Sequence, residues 1–574
     1  MTIFYQKYRN RIKIIFAFFS FLTILILGKL FYIHIIQNQY YEELVNSKFL
    51  KSKVIEGSRG QIFDRNGNSL AKNKTVFSFL LNTEQKYDRD KILNLFSENF
   101  KKSKNYYEEI LEKKSNGVVL ERNIPFSDCN VIVNTRIYGL NKLSKIVREY
   151  PYKELASQVI GYVDSDYKGI IGIEKYFEKT LKGELGNKNL MKNINGFLYE
   201  NPYKESIKPD PGKNITLTLD MQLQEILQDE LLKTIENIKA EDANGIIVDP
   251  FSGEILAMAS VPSFDLNKFY EHDISNHQNK SIIDSYEPGS TFKSISIACG
   301  IEEGLIHEND EYNCENGKYF YFGKYLNDHE KHDILSVKEI LMHSSNIGIS
   351  KIVDEKIGQK LIYKYARSFG FGNKTGVYLP GETNGILKPL NDWEKSSGTF
   401  VSMGQEILSS TLQTVMAYSV FANGGYLLKP QIIKNITQDN TYTYISKPLV
   451  VRKVISSDTA DRVLNILEDV VNHGSGKEAR INGYKIAGKT GTSQTYKNGI
   501  LSDKNYIASF AGIFPSNKPK YVCVVAINNP KVKGKHWGGV VAAPIIKNIF
   551  ARIINEFNYD SKFTNDDFTI ITDI

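Results

Sequence analysis

Three short segments of this chain hold the residue types that acyl transfer needs. The first is Glu287-Pro288-Gly289-Ser290-Thr291-Phe292-Lys293. Pro288-Gly289 ends what precedes it, and the apolar residues Phe292, Ile295, Ile297 and Ala298 open a helix. Ser290 then sits at the helix start, with Lys293 three residues on and on the same face. A serine hydroxyl is a poor nucleophile until a base takes its proton. A lysine is such a base only when burial or a neighbouring cation lowers its pKa. Ser344-Ser345-Asn346 offers a hydroxyl to relay protons and an amide to hold a peptide group. Lys489-Thr490-Gly491-Thr492, led in by an apolar strand, adds a second cation, a glycine that admits a substrate backbone, and two hydroxyls suited to a carboxylate. Each segment alone matches an ordinary turn or helix cap. The order SxxK, SxN, KTGT at separations of about 55 and 145 residues is far more specific.

Two similar strings are set aside. Lys374-Thr375-Gly376 follows a loop residue and reads as a turn. Gly474-Ser475-Gly476-Lys477 has Glu478 where a phosphate loop needs Ser or Thr. His307, Cys314, His329 and His332 share a loop-rich stretch, but their spacing fits no standard zinc pattern, and no metal or organic cofactor is expected.

These segments must be positioned by a large folded module. The chain has 574 residues, 24% charged and 41% hydrophobic, with a net charge of 72 − 65 = +7. That is a globular composition, and it excludes wholesale disorder and collagen. The small, dispersed positive excess gives no nucleic-acid stripe. Cys129, Cys299, Cys314 and Cys523 are scattered and make no disulfide framework. Hairpin chemistry recurs at Asn66-Gly67 and at Pro250 to Gly253. Strands are expected at Ile215–Leu219, on both sides of Pro250–Gly253, and at Tyr484–Ala487, Tyr506–Phe514 and Tyr521–Ile527. Residues 85–116 read as an exposed helical insert. Ala542–Phe557 reads as a helix with Ile545, Ile546, Ile549, Phe550, Ile553 and Ile554 on one face. Strands at both ends with helices between them make an α+β module built on an antiparallel sheet.

At the N-terminus, Lys7, Arg9, Arg11 and Lys13 precede the apolar run Ile14–Ile36, broken only by Lys29. As a helix the run spans about 34 Å, enough to cross a bilayer. The cations ahead of it place the N-terminus in the cytoplasm. No small-residue cleavage site follows, so an uncleaved anchor is expected, with everything after it extracytoplasmic.

On the three motifs, and on Arg59-Gly60-Gln61-Ile62-Phe63-Asp64-Arg65-Asn66-Gly67 and Arg148-Glu149-Tyr150-Pro151 upstream, the chain resembles a class B penicillin-binding protein over nearly its whole length. Tyr286-Glu287-Pro288-Gly289-Ser290, Ser344-Ser345-Asn346-Ile347-Gly348 and Gly538-Gly539-Val540-Val541-Ala542-Ala543-Pro544 resemble the cell-division branch. Ser402-Met403-Gly404-Gln405-Glu406 departs from that branch's Gly-Tyr-Gly-like run. The resemblance implies a cytoplasmic N-terminus (1–13), an anchor (14–36), a non-catalytic pedestal of the dimerisation type (37–212), a transpeptidase domain of the penicillin-binding and serine β-lactamase fold (213–557) and a tail (558–574).

It also implies a D,D-transpeptidase in which Ser290 attacks the D-Ala-D-Ala bond of a peptidoglycan stem peptide. Lys293 would be the base and Ser344 the relay near Lys489. Asn346 would hold the peptide, and Thr490, Gly491 and Thr492 would bind its carboxylate end. β-Lactams would acylate Ser290. The implied partners are the inner membrane, a membrane glycan polymerase and division proteins. An elongation-specific enzyme, a β-lactam-hydrolysing or sensing protein, and an inactive divisome scaffold are the alternatives.

Overall fold

The computed structural model describes residues 2–48, 50–113, 115–192, 198–202, 204–497, 500–532 and 537–559. Most of the expected tail, 560–574, lies outside them. The chain divides into two units, one of residues 1–59 with 182–212 and one of residues 60–181 with 213–574.

In the first unit, a helix runs Thr2–Phe31 and continues as a π-turn Tyr32–Ile36, followed by a helix Asn38–Lys48. The stretch Tyr8–Ile36 has a mean hydropathy of 2.4, and none of its most apolar part is buried against protein. Among the described residues it is the one helix long and apolar enough to cross a membrane. Strand Leu50–Glu56 pairs antiparallel with Leu185–Lys192, which pairs with Leu198–Glu200. Gly57 lies against residue 210, where a Cβ would meet the Asp210 carbonyl oxygen. Only a glycine permits that approach.

The second unit is built on a five-stranded antiparallel sheet. Its order is Ile255–Val261, Asp242–Val248, Tyr521–Asn528, Ile500–Phe514 and Ala487–Lys497. The central strands are apolar on both faces because both faces are covered. Tyr521, Cys523, Val525 and Ile527 join one core with helices Met221–Ile238 and Ala543–Glu556. Val522 and Val524 face the other way, into a larger core with helices Lys293–Glu302 and Thr411–Ala422. That alternation is the period of two of a pleated strand. Helix Thr411–Ala422 is buried at every position, and its polar side chains are satisfied internally: Gln413 Nε2 donates to the Asn373 and Asn384 carbonyls and Ser419 Oγ to the Val415 carbonyl. The late helix buries all six residues of its expected face.

A second sheet has seven strands. It combines Ile62–Phe63, Ser69–Leu81, Val118–Pro125 and Leu140–Glu149 with Asn214–Leu217, Ile433–Gln438 and Thr441–Ile445. The Asn66-Gly67 turn forms as expected. Gly67 takes φ +89°, and the Asp64 carboxylate accepts from the backbone N–H groups of Asn66 and Asn68 at 2.9 and 2.7 Å.

Two expectations need correction. The insert at 85–116 is not simply exposed. It forms helices Arg89–Phe100 and Lys104–Leu111, whose Ile92, Leu93, Phe96, Tyr107 and Leu111 make a separate core with Phe79 and Leu120. The strand expected at Tyr484–Ala487 instead begins at Ala487 and runs to Lys497. Gly483 at φ +84° and the Tyr484-to-Ile481 turn occupy the residues before it. The KTGT segment is therefore on the strand, not past its end.

Among the described residues, one ion pair in this unit is fully buried. Arg148 Nε donates to Glu174 Oε1 at 2.8 Å, with side-chain exposures of 1% and 0%. Arg148 Nη1 also reaches Asn73 Oδ1 at 3.0 Å. Removing one partner of such a pair strands the other charge in the interior. Glu174→Ala should destabilise the second unit by roughly 3–5 kcal/mol, read as a lower midpoint in urea unfolding of the purified protein.

Candidate active site

The three motifs come from three separate elements and meet. Gly289–Phe292 forms a 3-10 turn that leads into helix Lys293–Glu302. Ser290 lies in this turn, half-buried, and Lys293 opens the helix, fully buried. Helix Val337–His343 ends at Ser344, which takes the left-handed conformation at φ 60°. A non-glycine residue held there stores strain that the surroundings must offset. Helix Asn346–Ile352 starts two residues on, capped by Ser345, whose hydroxyl accepts from Gly348 N–H at 2.8 Å. Ala487–Lys497 is the edge strand of the five-stranded sheet, so its outer edge keeps backbone groups for an extended peptide.

Both lysines converge on Ser344. Lys293 Nζ donates to the Ser344 carbonyl at 2.5 Å and to Asn346 Oδ1 at 2.8 Å, with Ser344 Oγ at 3.4 Å. Lys489 Nζ donates to Ser344 Oγ at 2.9 Å and to Thr490 Oγ1 at 3.2 Å. Burial disfavours the ammonium form of each. It brings Lys293 down to about 7, against the opposing pull of the Asp328 carboxylate. It takes Lys489 well below its ordinary value, with the Lys293 charge pushing the same way. Two adjacent ammonium groups in one dry pocket repel, so near neutral pH the pair does not hold two protons. A neutral amine beside a serine turn is what proton abstraction from a hydroxyl requires.

Glycines set the close fit around Ser290. A Cβ on Gly289, at φ +55°, would lie 2.6 Å from the Thr492 carbonyl oxygen, so the peptide units flanking Ser290 and Thr492 are in contact. A Cβ on Gly491 would lie 2.3 Å from Ser509 Oγ and 2.8 Å from the Pro288 carbonyl oxygen. The sequence suggested that Gly491 leaves room for substrate. The chain itself fills that room, because Lys489 and Gly491 share the strand face that packs on the SxxK turn. Gly404, at φ +77°, donates its N–H to the Val401 carbonyl at 2.8 Å while its own carbonyl accepts from Gly289 N–H at 3.1 Å, and a Cβ there would collide with Gly289. The unusual run 402–406 keeps the one residue this packing needs.

Thr492 Oγ1 accepts from Gly538 N–H at 3.0 Å, which leaves its hydroxyl proton to donate to an incoming carboxylate. Thr490 Oγ1 faces Ser475 Oγ at 3.3 Å. The discarded Gly474-Ser475-Gly476 string is a turn, as read, but it borders the site. Asn346 Nδ2 donates to the Asn327 carbonyl at 2.9 Å, so its amide is engaged at both ends and keeps one N–H for a ligand. The second KTG is a loop closed by buried Glu382, which accepts from Thr375 and Gly376.

Sequence reasoning missed Asp328. Its Oδ1 accepts from the N–H groups of Asn346 and Ile347 at 2.5 and 3.1 Å, and its Oδ2 accepts from the Ser345 hydroxyl. It caps the SxN helix from a distant loop, so no local spacing reveals it.

Comparison with known proteins gives the family. Residues 245–551 match the penicillin binding protein transpeptidase domain, and residues 54–217 match the penicillin-binding protein dimerisation domain. The chain belongs to the class B penicillin-binding proteins, whose transpeptidase domain is a serine acyltransferase. It is 31% identical to stage V sporulation protein D of Bacillus subtilis, over 94% of this chain and 85% of that protein. It is 27% identical to the peptidoglycan D,D-transpeptidase FtsI of Escherichia coli, over 93% and 90%. Penicillin binding protein 3 of Mycobacterium tuberculosis, solved with aztreonam, superposes with a TM-score of 0.68 at 25% identity, over 88% and 97%.

Asp328→Asn should weaken the cap on the SxN helix and lower stability by about 1–3 kcal/mol. Thermal unfolding of the purified protein reads the loss. Acylation by a fluorescent penicillin should slow with it, because Ser344 and Asn346 then lose their fixed placement.

Proposed function

We propose that this protein is a peptidoglycan D,D-transpeptidase that cross-links stem peptides during septal wall synthesis. The observation that carries the reading is the meeting of Lys293 and Lys489 on Ser344 beside the Ser290 turn, in a chain of this family. In the proposed reaction, neutral Lys293 takes the Ser290 hydroxyl proton as Oγ attacks the carbonyl carbon of the penultimate D-Ala. The N–H groups of Ser290 and Thr492 stabilise the oxyanion, an effect worth a few kcal/mol per donor. The C–N bond then breaks, and the departing D-Ala amine receives a proton relayed through Ser344 from the lysine pair. The amine of a neighbouring stem peptide attacks the acyl-ester carbonyl and gives up a proton to Lys293, which passes it to Ser290 Oγ as the ester C–O bond breaks, so that Ser290 and neutral Lys293 are restored. Thr490 and Thr492 hold the terminal carboxylate, Gly491 keeps the strand seated on the SxxK turn, and Asn346 orients the donor peptide. β-Lactams present the same carbonyl and leave Ser290 acylated.

The septal assignment rests on the division-branch motifs and on relatives that include FtsI. In this reading the Tyr8–Ile36 helix anchors the protein in the cytoplasmic membrane, its N-terminus inside and its catalytic domain outside. A membrane glycan polymerase and divisome proteins supply the nascent strands. Depletion should then yield filaments, whereas an elongation enzyme would yield round cells.

Incubation of the full chain with a labelled penicillin should give a single stable adduct, mapped by mass spectrometry to Ser290 and missing from Ser290→Ala. No adduct on folded wild-type protein would leave the scaffold reading in its place. Deacylation within seconds would favour the hydrolase.

A further inference from the structure

Directly beside the site, three ligand-type side chains meet whose role the reaction does not use. Glu330 and His332 belong to the loop between strands Lys324–Asn327 and Ile334–Ser336, and His343 is the last residue of helix Val337–His343. One ligand atom from each lies within 4.8 Å of the others. A single carboxylate oxygen, Glu330 Oε2, stands 3.3 Å from His332 Nε2 and 3.5 Å from His343 Nδ1. The two imidazoles are inclined at 41° to each other, with centroids 4.5 Å apart.

These separations are long for hydrogen bonds, whose N···O mode is about 2.9–3.0 Å. The two carboxylate–imidazole separations are close to the edge of a tetrahedron, and the two imidazole nitrogens lie within 4.8 Å of each other. Zinc bonds of about 2.0–2.1 Å to nitrogen and oxygen imply ligand–ligand edges of about 3.3–3.4 Å. An octahedral magnesium site, with bonds of about 2.0–2.1 Å, would need edges of about 2.9 Å. Two imidazoles and one carboxylate are the donor set that favours zinc over hard cations. All three residues are open enough for an ion to enter and for water to complete the coordination.

We propose that Glu330, His332 and His343 form a zinc site that braces the turn carrying Ser344. His343 is bonded directly to Ser344, the strained residue on which both lysines converge. The loop holding Glu330 and His332 begins at Asp328, which caps the SxN helix. An ion held by all three therefore ties together the two segments that position Ser344 and Asn346.

Of the four residues singled out in sequence, His332 alone enters this group. His307 and Cys314 make local contacts, with His307 N–H on Asp310 and the Cys314 thiol near the Tyr312 carbonyl, while the His329 ring lies against Trp537. Glu330 and His343 were not considered, because 13 residues and a helix cap separate the partners in sequence.

The test is metal analysis and calorimetric titration of untagged full-length protein in detergent, with zinc chloride and with magnesium chloride. One zinc per chain is expected, with no magnesium binding. Glu330→Gln and His332→Ala should each bind zinc about tenfold more weakly or worse, while circular dichroism shows both folded. Removing zinc with a chelator should slow wild-type acylation by a fluorescent penicillin several-fold and leave the two variants unchanged. Substoichiometric zinc, or zinc binding that neither variant weakens, would overturn the site. Stoichiometric zinc with no effect on wild-type acylation would overturn its link to Ser344. Zinc stoichiometry is independent of the acyl-transfer reading, so the two stand or fall separately.

Discussion

The structure depends on keeping two lysine side chains in a dry interior. Lys293 and Lys489 are both fully buried, and burying an ammonium group is among the costliest things a fold does. The cost falls when the proton leaves, and that neutral state is the one a serine nucleophile needs in its base. Nearly every local feature of the site supports the arrangement. Ser344 accepts a left-handed backbone so that its carbonyl and hydroxyl face the two amines. Asp328 gathers the N–H groups of the following helix and at the same time raises Lys293 from what burial alone would give. Its charge therefore limits how far the base is weakened.

The larger architecture is arranged to bring these groups together from remote parts of the chain. The SxxK turn opens a core helix, the SxN segment joins two short helices, and KTGT lies on an edge strand. Glycines at 289, 404 and 491 let the turn, the 400s loop and the strand approach closer than any Cβ allows. The sheet's two covered faces make that strand a rigid wall. Its open edge is where an extended peptide would add by backbone pairing.

Much of this was legible in the sequence, for identifiable reasons. The three motifs carry their chemistry in residue type, and their order is specific. The late helix showed its buried face because all six isoleucine and phenylalanine positions recur at helical spacing. The strand carrying KTGT was misplaced because Tyr484–Ala487 has strand-like composition, while the polar run Lys489–Gln494 does not look like a strand. Its pairing with residues 506–511 overrides that composition. The 85–116 helices were read as exposed because Lys and Glu dominate their outer faces and hide a narrow apolar stripe. Asp328 and Glu330 act across loops, and no spacing rule reaches such contacts.

The central claim is that burial sets Lys293 near neutrality so that it serves as the base for Ser290. The second-order rate of penicillin acylation, measured from pH 5 to pH 10, tests it most directly. The neutral amine accumulates as pH rises through its pKa of about 7, so the rate should climb about tenfold per unit below that point and level off above it. A rate that is flat across this range, or one that rises only near the ordinary lysine value of about 10.4, would contradict the account.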